Sequence, residues 1–245
     1  MVEKLKEFKN AHKWLLLPWI IILIGFTPSY FITFSSEPWA YHIHAISAMG
    51  WYILIAVQPY LITRGKVKNH RVLGMIGLFL AGAVVFSALS ITPTNVYFGL
   101  KGGFPPVFPA SFFYGLTFTE TLAIIGFGFA VIMAIVKSKN MEEHSTWMLS
   151  TVFFGLMPGW GRAVMFPIFA FGWEISQKTM MTIAVPVFLL GIFIVAYRLR
   201  KLTHPAMMLA ALVNLSMLFI SEIGSSEWYQ ELIINLFKPM TPWQF

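Results

Sequence analysis

Seven runs of about 20 predominantly apolar residues constrain this chain more than any other feature of its sequence. An apolar helix of ~20 residues crosses the ~30 Å hydrocarbon core of a bilayer. Charged residues make up only 11% of the chain, against roughly 25% in soluble domains. The sequence therefore predicts an all-α fold, a polytopic membrane bundle of seven transmembrane helices that forms one domain, 1–245. The predicted spans are approximately 14–34, 41–63, 71–91, 110–136, 145–170, 179–199 and 205–223.

Three segments need separate interpretation. The first apolar run is too long for a signal peptide and no small-residue cleavage site follows it, so we interpret it as a retained helix. The segment 92–110 is rich in proline and glycine, which predicts an irregular loop. Apolar residues recur at helical spacing after Gly224, so 225–245 is predicted to be an amphipathic tail that lies on the outer surface.

The basic residues predict an orientation. Thirteen lie on one side of the predicted spans and three on the other, and this asymmetry favours a cytoplasmic location for the basic side. The N-terminus is then inside and the C-terminus outside. The basic side consists of Lys4, Lys6, Lys9, Lys13, Arg64, Lys66, Lys68, Arg71, Lys137, Lys139, Arg198, Arg200 and Lys201. The net charge of +7 is thus explained by topology and contact with anionic lipid, and we expect no nucleic-acid binding.

The composition also excludes several kinds of site. The chain has no cysteine, which excludes disulfides, thiolate zinc sites, iron–sulfur clusters and cysteine nucleophiles. It has no aspartate either, so every acidic side chain is a glutamate. Glycine-rich phosphate loops and the GxSxG and HExxH patterns are absent from the sequence.

Histidines open four of the predicted spans, all on the basic side: His12, His70, His144 and His204. One interpretation is purely structural, because histidine tolerates the headgroup region. In that reading Asn69 caps the third span and His70 lies in its first turn.

The other interpretation assigns two of these histidines to a cofactor. The positive end of the helix dipole and the adjacent Arg71 favour neutral imidazoles, which are the form that binds metal. His70 and His144 are predicted to lie at the same depth, so they are candidate ligands of one b-type haem, with Arg71 beside it. The same two histidines are alternatively ligands of a non-haem metal ion.

A second group of polar residues is predicted in the outer half of the bundle. Glu120 and Arg162 lie within spans, where charged side chains usually face the interior and pair. One interpretation is a structural ion pair between them. The other is a site for an anionic or quinone-like ligand, with Arg162 as donor and His44 as proton partner. Asn214 and Glu222 either extend this group or join helices.

The stretch HIHAISAMGWYILIAVQPYLITRGKVKNHRVLGMIGL and the later EEHSTWMLSTVFFGLMPGWGR resemble an uncharacterised family of bacterial multi-pass membrane proteins. The matching positions, all within 42–162, are His44, Gln58, His70, Arg71, Gly74, His144, Trp147, Met148 and Arg162. The resemblance implies a helical bundle whose histidines are loosely similar to the ligands of cytochrome b561-like bundles. The chain departs from that pattern because it lacks an outer histidine pair on adjacent helices.

Three classes of function follow from these observations. The leading prediction is a redox protein of the bacterial cytoplasmic membrane, in which a haem at His70 and His144 exchanges electrons with a quinone-like ligand near His44, Glu120 and Arg162. The second is a hydrolase or hydroxylase that uses the same inner histidines for a non-haem metal. The third is a transporter, or an accessory subunit of a larger membrane complex, without catalysis.

Overall fold

The computed structural model of the protein describes residues 10–104, 107–173 and 175–237. Within these residues, seven helices are long and apolar enough to cross a membrane. They are α1 (Ala11–Phe31), α2 (Trp39–Thr63), α3 (Val67–Leu100), α4 (Ala110–Val136), α5 (Met141–Ala170), α6 (Gln177–Arg198) and α7 (Pro205–Gly224). An eighth helix, α8, spans Glu227–Phe237. A short antiparallel pair, β1 (Gly103–Phe104) and β2 (Phe108–Pro109), joins α3 to α4.

The fold is a multi-pass helical bundle with α5 at its centre. Helix α5 packs against α1, α4, α6 and α7, whereas α3 packs mainly against α2 and α4. Short turns, 64–66, 137–140 and 199–204, connect α2–α3, α4–α5 and α6–α7, and most of the described basic residues lie in these turns or within five residues of them. We call this end of the bundle the basic end, and the other the opposite end.

Small residues allow the closest helix crossings. A side chain at Gly25 of α1 would overlap the carbonyl group of Gly159 in α5. At the crossing of α4 and α7, side chains at Gly115 and Gly224 would overlap the backbone of Ile220 and Ser111. Backbone contact of this kind is typical of membrane helices, because lipid offers no hydrophobic driving force between them and close packing must hold them together.

The length of α3 corrects the sequence prediction. We predicted a span of 71–91 and an irregular loop over 92–110, but α3 continues to Leu100 with Pro93 inside it. The Thr92 hydroxyl donates to the carbonyl of Ala88 (3.1 Å), and hydroxyl side chains of this kind help membrane helices to accommodate proline. Val96 is buried with Tyr114 of α4, so tertiary packing overrides the local signal.

The predicted amphipathic tail is helical as α8, and residues 238–245 lie outside the described part of the chain. Tyr229 and Ile233 are buried against the bundle, and the Tyr229 hydroxyl is 2.7 Å from the Thr117 hydroxyl in α4. The face formed by Trp228, Leu232 and Leu236 is exposed. One face of helix α8 therefore packs against the bundle, and a second apolar face is exposed.

Candidate functional site

The imidazoles of His70 and His144 approach each other at the basic end. Their ring centroids are 6.3 Å apart and their planes are inclined by 84°. His70 is the fourth residue of α3 and His144 the fourth residue of α5. The two rings therefore meet where both helices begin, and we call them the histidine pair.

His144 is held in place by the backbone of α4. Its Nδ1 lies 2.8 Å from the carbonyl oxygen of Ala134, so Nδ1 carries the proton and donates. In a neutral ring this leaves the lone pair on Nε2. The start of α5 is fixed by Asn140, whose side chain accepts from the backbone N–H groups of Glu142 and Glu143. The ring orientation thus follows from a capped helix start and one backbone contact.

His70 is held less completely. Its Nδ1 is buried without a hydrogen-bond partner among the described residues, and so is Oε1 of the buried Gln58. The Gln58 amide instead donates to the His70 carbonyl at 3.4 Å. Arg71 is exposed beside the ring. The predicted cap at Asn69 is wrong, because α3 already begins at Val67 and its N-cap residue is Lys66.

The other two histidines at helix starts have different surroundings. His204 is the N-cap of α7: its Nδ1 accepts from the backbone N–H of Ala206 (3.1 Å) and its Nε2 faces a Glu143 carboxylate oxygen at 3.3 Å. The ring of His12 packs edge-on against Tyr60, 5.8 Å between centroids. The structural interpretation thus describes His204 well, whereas it leaves the histidine pair without an obvious purpose.

Within the part of the chain that the structure describes, the histidine pair has no third ligand of the usual kinds. Among the described residues, no group of three histidine, cysteine, aspartate or glutamate side chains is placed to hold a metal ion. A protein-only zinc or iron site normally uses at least three such ligands. Among the described residues the non-haem metal alternative therefore has only the two histidines as ligands, and it stays a prediction.

At the opposite end, Glu120 and Arg162 do not form the ion pair considered from the sequence. A carboxylate oxygen of Glu120 accepts instead from the side-chain amide of Asn95 in α3 (2.7 Å). The Arg162 guanidinium donates to the carbonyl of Pro158 (3.1 Å) and lies over the ring of Phe26, 4.7 Å from its centroid. Arg162 is thus held by the Pro158 carbonyl in α5 and the Phe26 ring in α1, whereas the sequence suggested that the Glu120 carboxylate would hold it.

Tyr41 of α2 joins these residues. Tyr41, Glu120 and Arg162 each lie within electrostatic range of the other two. Glu120 and Arg162 are each half-buried, so part of both side chains stays accessible. We call the group Phe26, Tyr41, Asn95, Glu120 and Arg162 the polar chamber.

Three members of the polar chamber were missed by sequence reasoning. Phe26, Tyr41 and Asn95 carry no motif, and aromatic residues near predicted interfaces are read as part of an aromatic belt. Asn95 was additionally hidden by the wrong prediction of a loop at 92–110. The sequence signal that could have identified Asn95 is its position as a polar amide two residues after Pro93 in an otherwise apolar run.

His44 lies outside the polar chamber. Its Nδ1 is 3.1 Å from the hydroxyl of Ser87, which in turn contacts the Ser47 hydroxyl at 2.9 Å. Ser87 precedes Asn95 by two turns of α3, so His44 sits deeper in the bundle. His44 thus contacts a serine cluster between α2 and α3, and among the described residues no hydrogen bond joins it to Glu120 or Arg162; its role as proton partner stays a prediction. His42 instead contacts Tyr30 of α1 at 2.8 Å.

Asn214 and Glu222 serve helix packing. The Asn214 amide donates to carbonyl oxygens of Phe153 (3.2 Å) and Ala210 (2.8 Å), which ties α7 to α5. Glu222 pairs with Lys178 at 2.8 Å, with both side chains largely exposed. Neither residue extends the polar chamber.

Comparison with protein-family models, with curated proteins and with solved structures finds no match to this chain. The resemblance described from the sequence therefore stays a prediction, and the function has to be argued from the histidine pair and the polar chamber.

Proposed function

We propose that the protein is a membrane redox protein that holds a b-type haem between His70 and His144 at the basic end of the bundle. The observation that carries the proposal is the 6.3 Å separation of the two rings. An imidazole nitrogen binds a first-row metal at about 2.0 Å, so two rings at this separation could both hold one iron between them.

The donor set also supports a haem over a single metal ion. Two protein ligands are insufficient for a typical non-haem site, but they complete the coordination of a haem iron, whose other four ligands come from the macrocycle. The bond from His144 Nδ1 to the Ala134 carbonyl is the outer-shell contact common among metal-ligating histidines. The Nδ1 of His70 has no partner among the described residues, so this ring lacks the outer-shell contact that His144 has.

The basic end supplies charge for the rest of the group. Haem propionates are anionic, and Arg71 lies exposed next to His70. A guanidinium can bind a carboxylate through two parallel hydrogen bonds. When bound, the haem would supply one-electron chemistry, and the residues of this chain would set its orientation and access to water.

The quinone-like or other lipophilic ligand belongs to the polar chamber in this proposal. The rise from His144 to Arg162 along α5 corresponds to about 27 Å. The two proposed sites therefore lie near opposite ends of the bundle. We place the protein in a bacterial cytoplasmic membrane, with the basic end inside and the C-terminus outside, because of the distribution of basic residues.

A second candidate is a transporter, or a non-catalytic subunit of a larger membrane complex. It is favoured by one observation: Glu120 and Arg162, two charged residues within the apolar helices, hydrogen-bond to other groups and not to each other. Charged residues inside membrane proteins often mark the path of a solute or proton. In this reading the histidine pair only joins two helix ends.

Absorption spectroscopy of the full chain, purified in detergent after expression with a haem precursor, tests the proposal. We expect a Soret band that shifts to longer wavelength and sharp α and β bands on addition of dithionite. A colourless protein, with no haem recovered by acid–acetone extraction, would overturn the haem proposal and leave the transporter or subunit candidate.

A further inference from the structure

We infer that the polar chamber binds a small molecule that is uncharged overall and carries a hydrogen-bond acceptor at one end and an O–H or N–H donor at the other. This inference names the chemistry of the ligand at the opposite end, and it stands whether or not a haem occupies the histidine pair. Four residues of the chamber come from α2, α3, α4 and α5, and Phe26 comes from α1.

The hydrogen-bonding capacity of the chamber is only partly used. A guanidinium has five N–H donors, and among the described residues the structure gives Arg162 a single hydrogen bond, to the Pro158 carbonyl. A carboxylate accepts about four hydrogen bonds, and Glu120 accepts one, from Asn95. Donors on one side and acceptors on the other therefore stay available to a third molecule.

The separation of the charges is unusual for a membrane interior. A buried charge costs several kcal/mol unless it is well compensated, so opposite charges in electrostatic range of each other normally come into direct contact. Here the Phe26 ring and the Pro158 carbonyl hold Arg162 on one side, and Asn95 holds Glu120 on the other. The donors and acceptors that these contacts leave unused are suited to a dipolar occupant.

The fold makes this separation rigid. The close approach of Gly25 and Gly159 fixes α1 against α5, and Phe26 and Pro158 are their immediate neighbours in sequence. Directly after Phe26 the helix widens into a π-turn, Thr27–Phe31. Such turns occur frequently at functional sites. The position of the guanidinium is thus built into the backbone crossing rather than left to a flexible side chain.

The net charge of the chamber selects the class of ligand. A free anion would be attracted by Arg162 but repelled by Glu120. A cation would be attracted by Glu120 but repelled by Arg162. A molecule with both a donor and an acceptor satisfies the two residues together, and Tyr41 can donate or accept beside them. Two sources share this chemistry: the quinol head group of a membrane-soluble carrier and a zwitterionic amino acid from water.

Equilibrium binding to the full chain in lipid nanodiscs distinguishes these sources. The probes are a short-tailed 1,4-benzoquinol, leucine, sodium sulfate as anion and choline as cation. We expect saturable binding of either the benzoquinol or leucine, the two probes without net charge. The affinity for that probe should fall at least tenfold in Arg162→Gln and in Glu120→Gln. Glu142→Gln at the basic end is the matched control, and it should bind as the wild type does.

Tyr41→Phe keeps the ring and removes one hydroxyl, so it tests the chamber with little risk to folding. We expect a several-fold weaker affinity for the same probe. Failure of both uncharged probes to saturate the wild type, or tighter binding of sulfate or choline, would overturn the inference. Unchanged affinity in all three chamber variants would overturn it as well. None of these outcomes depends on a Soret band, so they are separate from the test of the haem.

Discussion

The rings of His70 and His144 lie 6.3 Å apart although the helices that carry them, α3 and α5, each pack mainly against other helices. Helix α4 contacts both and supplies the Ala134 carbonyl that orients His144. The histidine pair is therefore a product of three helices. A local change in any of them is expected to alter the distance between the rings.

Removal of either ring should abolish haem binding if the proposal is correct. His70→Ala and His144→Ala are each expected to lose the Soret absorbance, because a single axial histidine leaves the iron without its second protein ligand. His12→Ala, at the start of α1, is the matched control and should keep the full haem content. Haem content is measured per mole of protein by the pyridine haemochrome assay. Retention of haem in both single variants would contradict the assignment.

Loss of the cap on α5 should weaken the protein measurably. Asn140→Ala removes the acceptor for the backbone N–H groups of Glu142 and Glu143, and the expected cost is about 1 kcal/mol of unfolding free energy. Asn140→Ser retains a capping oxygen and should lose only a fraction of that. Thermal unfolding in one detergent, followed by circular dichroism, compares the two. Equal midpoints for the alanine and serine variants would show that the cap contributes nothing.

The crossing of α1 and α5 predicts a difference between two glycines. Gly25→Ala would place a methyl group on the Gly159 carbonyl, and overpacking of this kind costs typically 1–3 kcal/mol. Gly191→Ala in α6 meets open space, and it should be neutral or stabilising by up to about 1 kcal/mol because alanine favours helix. The unfolding midpoints should therefore move in opposite directions. A Gly25→Ala protein as stable as the wild type would contradict the observed crossing.

Docking of α8 should depend on pH in the alkaline range. Burial, as the largest cause, raises the pKa of Tyr229 above its ordinary value of 10.0, and nearby Glu120 adds to this, whereas the hydrogen bond with Thr117 acts in the opposite direction. The neutral phenol is thus favoured in the folded state. Its contribution to stability is fully present below pH ~10 and is lost as pH rises through the folded pKa.

Tyr229→Phe isolates this contribution. We expect the variant to be less stable than the wild type by about 1 kcal/mol at neutral pH, because the Thr117 hydroxyl loses its partner. The difference between the two proteins should shrink above pH ~10. The exposed Tyr197 serves as control, since Tyr197→Phe removes a phenol that contacts solvent. A stability difference that is constant up to the highest pH studied would contradict the role of Tyr229.

The seven helices of the described residues that are long and apolar enough to cross a membrane were predictable, because the length of an apolar run is read directly from the sequence. Segment 110–136 was even placed with the observed bounds of α4. The extension of α3 through Pro93 was not predictable, since it depends on the packing of Val96 against Tyr114, which are far apart in sequence. Local composition around Pro93 pointed to a loop.

The site was predictable only in part for the same reason. The positions of His70 and His144 at two helix starts suggested a common depth, but not that their rings approach each other. Glu120 and Arg162 stood out as charges within apolar runs, whereas their partners Asn95 and Phe26 are ordinary residues for such a chain. Sequence patterns identify charged residues whose burial in a membrane costs free energy. Only the tertiary structure identifies the partners that offset this cost.

Helix α3, with 34 residues, rises about 51 Å and is far longer than a bilayer requires. Its last turns join Tyr114, Tyr229 and Ile233 in a small hydrophobic core of their own. The described connections at the basic end are turns of three to six residues. The last turns of α3 and helix α8 therefore extend the fold beyond the thickness of a bilayer at the opposite end.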